Sequence, residues 1–77
     1  MYNPQIGDLL FNDGDGLGGL GMIVDMTDLD GQSMEECEEI PEPNDRTYYI
    51  LWMAEDVTTA YPFVLVEEYR EQFYANR

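Results

Sequence analysis

The chain has 77 residues, of which 44% are hydrophobic and 13% aromatic; this suits one small folded domain, residues 1–77, without room for a large enclosed substrate pocket. It carries 17 carboxylates against three arginines, no lysine or histidine, and a formal net charge of −14. This balance argues against direct binding to nucleic acid and against adhesion to anionic membranes, because both need protein cations.

Two strands are predicted in the first third of the chain. Residues 5–11 are a short apolar run after Pro4, with Leu9 and Phe11 on one face. In residues 21–27 apolar and polar side chains alternate, as in a half-buried strand. The alternation places Met22, Val24 and Met26 on one face and Ile23, Asp25 and Thr27 on the other.

A glycine-rich loop, residues 12–20, joins these strands. The motif G-x-G-x-x-G occurs here in two overlapping copies, one starting at Gly14 and one at Gly16. A dinucleotide site needs a helix after the glycines, but the next segment has the period of a strand. Asp13 and Asp15 would also repel a phosphate. We therefore expect the glycines to allow positive φ angles in a long hairpin loop.

Residues 28–46 are a long polar interval, rich in acidic residues, which we predict to be a mobile loop with room for a helical turn near residues 33–37. Pro41 and Pro43 disfavour a longer helix, and loops of this length are usually functional or disordered. Cys37 is the single cysteine. The surrounding carboxylates disfavour its thiolate, so we predict an inert thiol.

The strongest strand signal is residues 47–53, which are β-branched or aromatic almost throughout. Both faces are apolar, so this strand needs a cover on each side. Tyr48, Ile50 and Trp52 are predicted to face the core, with Tyr49, Leu51 and Met53 on the second face.

A fourth strand, residues 58–63, is predicted at a sheet edge or bulge because it contains Pro62. From Val64 the apolar period becomes that of a short amphipathic helix. Two structures could cover the second face of the third strand, which carries Tyr49, Leu51 and Met53. One is this helix, through Val66, Tyr69 and Phe73, and the other is a neighbouring subunit.

Residues suited to catalysis are scarce. There is no histidine or lysine to act as base or nucleophile, and Ser33, the only serine, lies in the acidic loop. Two calcium-loop registers, one with Gly16 at the glycine position and one starting at Asp28, lack ligands or flanking helices. We expect no enzyme activity, no cofactor and no dedicated metal site.

The order of four short motifs resembles a known group of proteins. They are Gly7-Asp8-Leu9-Leu10; Gly21, Ile23 and Val24; Tyr48, Ile50 and Trp52; and Tyr61-Pro62 followed by Glu67-Glu68. The order resembles the small SH3-like barrel proteins of tailed bacteriophages, particularly cyanophages, and more loosely Tudor and KOW domains. The resemblance implies a mainly β fold, a small SH3-like barrel of four to five antiparallel strands with a short C-terminal helix.

Such barrels are non-catalytic, so the resemblance implies a protein partner, either a phage virion protein or a basic host protein. It places the chain in the virion or the host cytoplasm, and no signal peptide or membrane-spanning run is evident. Tudor members bind methylated basic peptides in an aromatic cage by cation–π attraction. Residues available for such a cage are Phe11, Tyr49, Trp52, Tyr61 and Phe63.

Two binding functions are therefore expected, and a third possibility is a stable acidic domain with no strong partner of its own that acts as a filler inside a larger assembly. The first is a phage structural or accessory protein that binds another protein, or further copies of itself, through an apolar and acidic surface. The second is an acidic inhibitor that mimics nucleic acid and blocks a host DNA- or RNA-binding protein. The candidate partner-binding residues are Glu35, Glu36, Glu38, Glu39, Tyr49, Leu51, Met53, Tyr61, Tyr69 and Phe73.

Overall fold

A computed structural model describes residues 2–14 and 18–75 of the chain. The regular elements are β1 (Leu9–Asn12), β2 (Gly19–Asp28), β3 (Arg46–Trp52), β4 (Val57–Pro62) and α1 (Phe63–Ala75). Two 3₁₀ helices, Met34–Glu36 and Pro43–Asp45, lie between β2 and β3. The prediction of a mainly β fold with four antiparallel strands and a C-terminal helix is confirmed.

The four strands form one antiparallel sheet in the order β1-β2-β3-β4. Each strand pairs with the next one along the chain, so the sheet is a meander built from local connections. Within residues 2–14 and 18–75, β1 and β4 do not pair with each other. The sheet is therefore open along the line where a closed barrel would join these two strands.

The helix α1 covers one face of the sheet, which we call the inner face. Phe63 and Val66 are its buried residues, and Tyr69 packs against the same core. On the sheet side, Tyr48, Ile50 and Trp52 are fully buried, as predicted. Burial of a side chain of this kind stabilises the fold by about 1.5–3 kcal/mol. The core consists of Leu10, Ile23, Tyr48, Ile50, Trp52, Phe63 and Val66.

A bulge interrupts β2 between Ile23 and Asp25. Ile23 pairs with Ile50 and is buried, and beyond the bulge Met26 pairs with Tyr48 and also packs against the core. One extra residue shifts the alternation of side chains by one position. The prediction that Ile23 and Met26 lie on opposite faces is therefore wrong.

The acidic interval folds back on the end of β2. The Asp28 carboxylate accepts hydrogen bonds from the backbone N–H groups of Asp30 (2.9 Å) and Gln32 (2.8 Å). A β-bridge then joins Thr27 to Ser33. The 3₁₀ helix Met34–Glu36 follows at the place where the sequence predicted a helical turn.

Candidate protein-interaction surface

The second face of the sheet, which we call the outer face, lies opposite α1. Strand register places Leu9, Met22 and Leu51 in one row across β1, β2 and β3. Phe11 pairs with Leu20, and the Met53 N–H donates to the Leu20 carbonyl at 3.0 Å. The outer face consists of Leu9, Phe11, Leu20, Met22, Tyr49, Leu51 and Met53.

Much of this apolar surface is open to solvent. The exposed fractions are 36% for Leu9, 38% for Leu20 and 42% for Met53. Tyr49 and Leu51, at the centre of the sheet, are half-buried by their neighbours along and across the strands. Contiguous apolar surface on a small domain usually marks an interaction site.

The helix does not cover the outer face. Val66 is buried among the inner-face core residues, and the Tyr69 ring centroid is 5.5 Å from that of Trp52. The prediction that α1 covers Tyr49, Leu51 and Met53 is therefore wrong, and the alternative of a neighbouring subunit remains a prediction. The reason is that α1 follows β4 without a connecting loop and its buried residues meet the face that carries Trp52.

Two predicted binding residues, Tyr61 and Tyr69, belong to the inner face instead. The Trp52 indole N–H donates to the Tyr61 hydroxyl at 3.0 Å. Tyr61 and Tyr69 also contact each other edge to face, with ring centroids 5.5 Å apart. Phe73, further along α1, contacts Tyr74 at 5.6 Å. Tyr61 and Tyr69 therefore pack against the core and are not brought together with Tyr49.

The residues available for an aromatic cage are divided between the two faces. Trp52 is fully buried and Phe63 is 8% exposed. Phe11 and Tyr49 lie on the outer face, whereas Tyr61 packs beside Trp52. These five side chains therefore do not surround a common open space, and the aromatic residues of β3 that point inward serve the core.

The predicted glutamates form a separate acidic surface. Glu35 and Glu36 lie on the 3₁₀ helix Met34–Glu36, Glu38 and Glu39 follow it, and all four are exposed. Cys37 lies between them, with its Sγ 3.7 Å from an Asp28 carboxylate oxygen. Partial desolvation and the Asp28 charge raise the pKa of the Cys37 thiol, which agrees with the prediction of an unreactive thiol.

The glycine-rich loop leads directly into β2, so a strand stands where a phosphate site needs a helix N-terminus. Gly19 has a φ of +82°, as expected for a hairpin loop that needs glycine. Asp15 and Gly16 lie outside the described residues. Among the described residues, no group of three or more His, Cys, Asp or Glu side chains is placed to hold a metal ion.

The described arginines both lie away from the outer face. Arg70, on α1, forms an ion pair with Asp8 at 3.3 Å and stacks on the Tyr2 ring at 4.4 Å. Tyr2 donates to the same carboxylate at 2.8 Å. Burial, and then the hydrogen bond to Asp8, raise the pKa of the Tyr2 hydroxyl. Arg46 lies on the same side of β3 as Tyr48 and is buried.

Acidic residues accompany the outer face. Asp25 pairs with Tyr49 there, and the exposed Glu55 and Asp56 follow Met53 in the turn after β3. The surface therefore combines apolar residues with negative charge, at Asp25 beside Tyr49 and in the turn that follows Met53. The sequence predicted Tyr49, Leu51 and Met53 but missed Leu9, Leu20 and Met22. Their signal was the alternation within β1 and β2, which could be combined with that of β3 only once the register was known.

Comparisons with protein family models, with curated proteins and with solved structures found no match to this chain. None of the helices in residues 2–14 and 18–75 has both the length and the apolar character needed to cross a membrane. The outer face and the charges around it are therefore the features from which a function can be inferred.

Proposed function

We propose that this chain is a non-catalytic protein-interaction domain that binds another protein through the outer face. The observation that carries the proposal is the uncovered apolar surface centred on Leu51, opposite the face that α1 covers. An apolar centre with a polar edge is the usual composition of a protein–protein interface.

The charge distribution favours a partner with basic residues around an apolar contact. Asp25 lies on the outer face beside Tyr49, the exposed Glu55 and Asp56 follow Met53, and the chain has a formal net charge of −14. A second copy would bring the same negative charges together, which is unfavourable, whereas a basic protein would be attracted and steered towards the surface. We therefore propose a heterologous partner rather than a homo-oligomer.

The motif order described above supports a more specific setting. By its resemblance to the small SH3-like proteins of tailed bacteriophages, we propose a virion structural or accessory protein that acts in the virion or the host cytoplasm. The basic partner would then be another virion protein or a host protein. This setting rests on the resemblance alone, and the binding surface rests on the outer face.

The test is affinity capture from lysates of phage-infected and uninfected host cells, washed at low and at high salt. The variant Leu51→Asp places a charge at the centre of the outer face. Val64→Asp is the matched control, because Val64 is an apolar residue of α1 that is 66% exposed. We expect a partner that survives high salt, is lost with Leu51→Asp and is retained with Val64→Asp. Equal capture by both variants would contradict the proposal.

The nucleic-acid mimic is the second candidate, and one observation favours it. Four exposed glutamates lie in or beside the 3₁₀ helix Met34–Glu36: Glu35, Glu36, Glu38 and Glu39. The start of their loop is held at the end of β2, because the backbone N–H groups of Asp30 and Gln32 donate to the Asp28 carboxylate. Replacing all four by glutamine keeps their size and removes four charges. The second proposal would replace the first if the wild type captures a DNA- or RNA-binding protein under three conditions. The capture must be lost with this variant, lost at high salt, and unaffected by Leu51→Asp.

A further inference from the structure

A cavity of about 360 Å³ lies away from the outer face, between the N-terminal segment and the end of the acidic interval. It is open to solvent and is lined by Tyr2 and Asn3, by residues 40–43 and by Arg46 of β3. Ile40, Pro41 and Pro43 supply the apolar part of the lining, and polar atoms supply the larger part. This volume is within the range of small-molecule sites, which combine apolar walls with a few polar groups.

Arg46 is buried at this cavity, with only 6% of its surface exposed. Its Nε–H donates to the Pro41 carbonyl at 2.9 Å, and its Nη1 donates to the Asn3 side-chain oxygen at 3.1 Å. The Tyr48 hydroxyl is a third polar neighbour. A guanidinium has five N–H donors, so donors remain after these three neutral neighbours are counted.

No carboxylate in the described part of the chain forms an ion pair with Arg46. Asp28 is its strand partner in the register of β2 and β3. Asp28 nevertheless turns its oxygens to the backbone N–H groups of Asp30 and Gln32 and to the Cys37 thiol. Glu42 lines the same cavity but is exposed to solvent and does not pair with Arg46.

This arrangement is unusual for a chain with 17 carboxylates. A buried cation without a counter-charge is costly, and buried charges are normally paired. Arg70 in the same molecule follows that rule through Asp8, although it is less buried than Arg46. The cavity therefore contains a positive charge that the acidic groups within residues 2–14 and 18–75 leave without an ion pair.

We propose that this cavity binds a small organic monocarboxylate. The ligand's carboxylate accepts hydrogen bonds from Arg46, whose planar guanidinium matches it in geometry. An apolar body attached to the carboxylate packs against Ile40, Pro41 and Pro43. A single negative charge suits the site better than a phosphate, because Glu42 and the net charge of the chain repel multiply charged anions.

The test is a titration of the ¹⁵N-labelled protein with sodium benzoate, followed by NMR chemical shifts. Benzamide, which keeps the ring but has no charge, and inorganic phosphate are the comparison ligands. We expect saturable shifts in the Ile40 and Glu42 backbone amides and in the Arg46 Nε–H. Benzamide and phosphate should each bind at least about tenfold more weakly than benzoate. This ratio is expected because benzamide loses the charge-assisted hydrogen bond and phosphate is repelled. Equal binding of benzoate and benzamide, or shifts that map elsewhere, would overturn the proposal.

Two variants test the location without removing Arg46, which also ties the loop to the sheet. Ile40→Asp adds a negative charge at the cavity, where Ile40 is 74% exposed. Leu29→Asp adds the same charge at a residue of the same interval that is 64% exposed and does not line the cavity. We expect weaker benzoate binding with Ile40→Asp and unchanged binding with Leu29→Asp. Equal effects of the two variants would show that net charge, and not this cavity, controls binding.

The carboxylate could belong to a free acid or to the C-terminus of a peptide. Short peptides that end in phenylalanine, with a free carboxylate or with a C-terminal amide, separate these sources in the same titration. Binding of the free-carboxylate peptide as tightly as benzoate would assign a chain terminus, and binding of benzoate alone would assign a free acid. The site is independent of the outer face, so Leu51→Asp should leave the benzoate titration unchanged.

Discussion

The two faces of β3 have similar composition and different surroundings. Inward, Tyr48, Ile50 and Trp52 are completely buried under α1. Outward, Tyr49 and Leu51 remain half-buried, and Met53, just beyond the strand, is 42% exposed. Because successive side chains of a strand point to opposite faces, three large side chains lie on each side of residues 48–53. The fold covers only the three that point inward.

The polar groups of the buried aromatic residues explain how the inner face can be enclosed. The Trp52 indole N–H donates to Tyr61, and the Tyr48 hydroxyl donates to the Pro43 carbonyl at 2.8 Å. Every buried side-chain nitrogen or oxygen among the described residues has a hydrogen-bond partner, so burial carries no unpaired polar cost. The inner face therefore serves stability, whereas the outer face keeps apolar side chains open to solvent.

The largest expected effect comes from breaking the inner face at Trp52. Trp52→Ala removes a fully buried ring that contacts both Tyr61 and Tyr69. We expect the free energy of unfolding to fall by about 3–5 kcal/mol, measured by urea denaturation. Met53→Ala, one residue later, should cost less than about 1 kcal/mol because Met53 is exposed. Similar losses for the two variants would remove the distinction between the faces.

A smaller effect is expected at Gly21, where the inner face leaves no room for a side chain. A Cβ at this position would lie 2.8 Å from Ile50 Cγ2 and 2.8 Å from two atoms of the Trp52 ring. Gly21→Ala should therefore reduce stability by about 1–3 kcal/mol through overpacking, despite the gain of up to about 1 kcal/mol from lower backbone freedom in the unfolded chain.

The matched variant for Gly21 is Leu20→Ala, at the preceding residue. Leu20 is 38% exposed on the outer face, and its truncation should change the free energy of unfolding by less than about 1 kcal/mol. Thermal unfolding followed by circular dichroism measures both. A Gly21→Ala protein as stable as the wild type would show that Ile50 and Trp52 can move aside, and that the inner face is less tightly packed than described.

The smallest effect is a loss of stability at alkaline pH from tyrosines on the inner side. Burial, and for Tyr2 the hydrogen bond to Asp8, raise the pKa values of the Tyr2, Tyr48 and Tyr69 hydroxyls. The folded state thus favours the neutral phenol. Its contribution is complete below the unfolded pKa of about 10 and is lost as the pH rises through the folded value.

Urea denaturation at increasing pH measures this contribution. We expect the free energy of unfolding to decline above about pH 10, and Tyr2→Phe to decline less steeply than the wild type. Stability that rises through this range, or a Tyr2→Phe protein with the same slope as the wild type, would contradict the assignment.

Local patterns in the chain predicted most of the elements. The alternation in β3, the change of period at α1 and the turn at Met34–Glu36 were each visible in a short window of sequence. The sequence predicted only some of the residues that form the outer face. Tyr49 and Leu51 were predicted from their strand alone, but Tyr61 and Tyr69 were misplaced because their positions depend on how β4 and α1 pack against Trp52 of β3.

The amino-acid sequence by itself determined that β3 has two apolar faces, that a helix follows the last strand and that cations are scarce, because these are properties of composition and of local period. Tertiary structure decided which face α1 covers, where the bulge in β2 reverses the alternation, and that Arg46 is buried without an ion pair to any described carboxylate. Each depends on packing between segments far apart in the chain, and a period measured along one segment carries no information about which other segment it will meet.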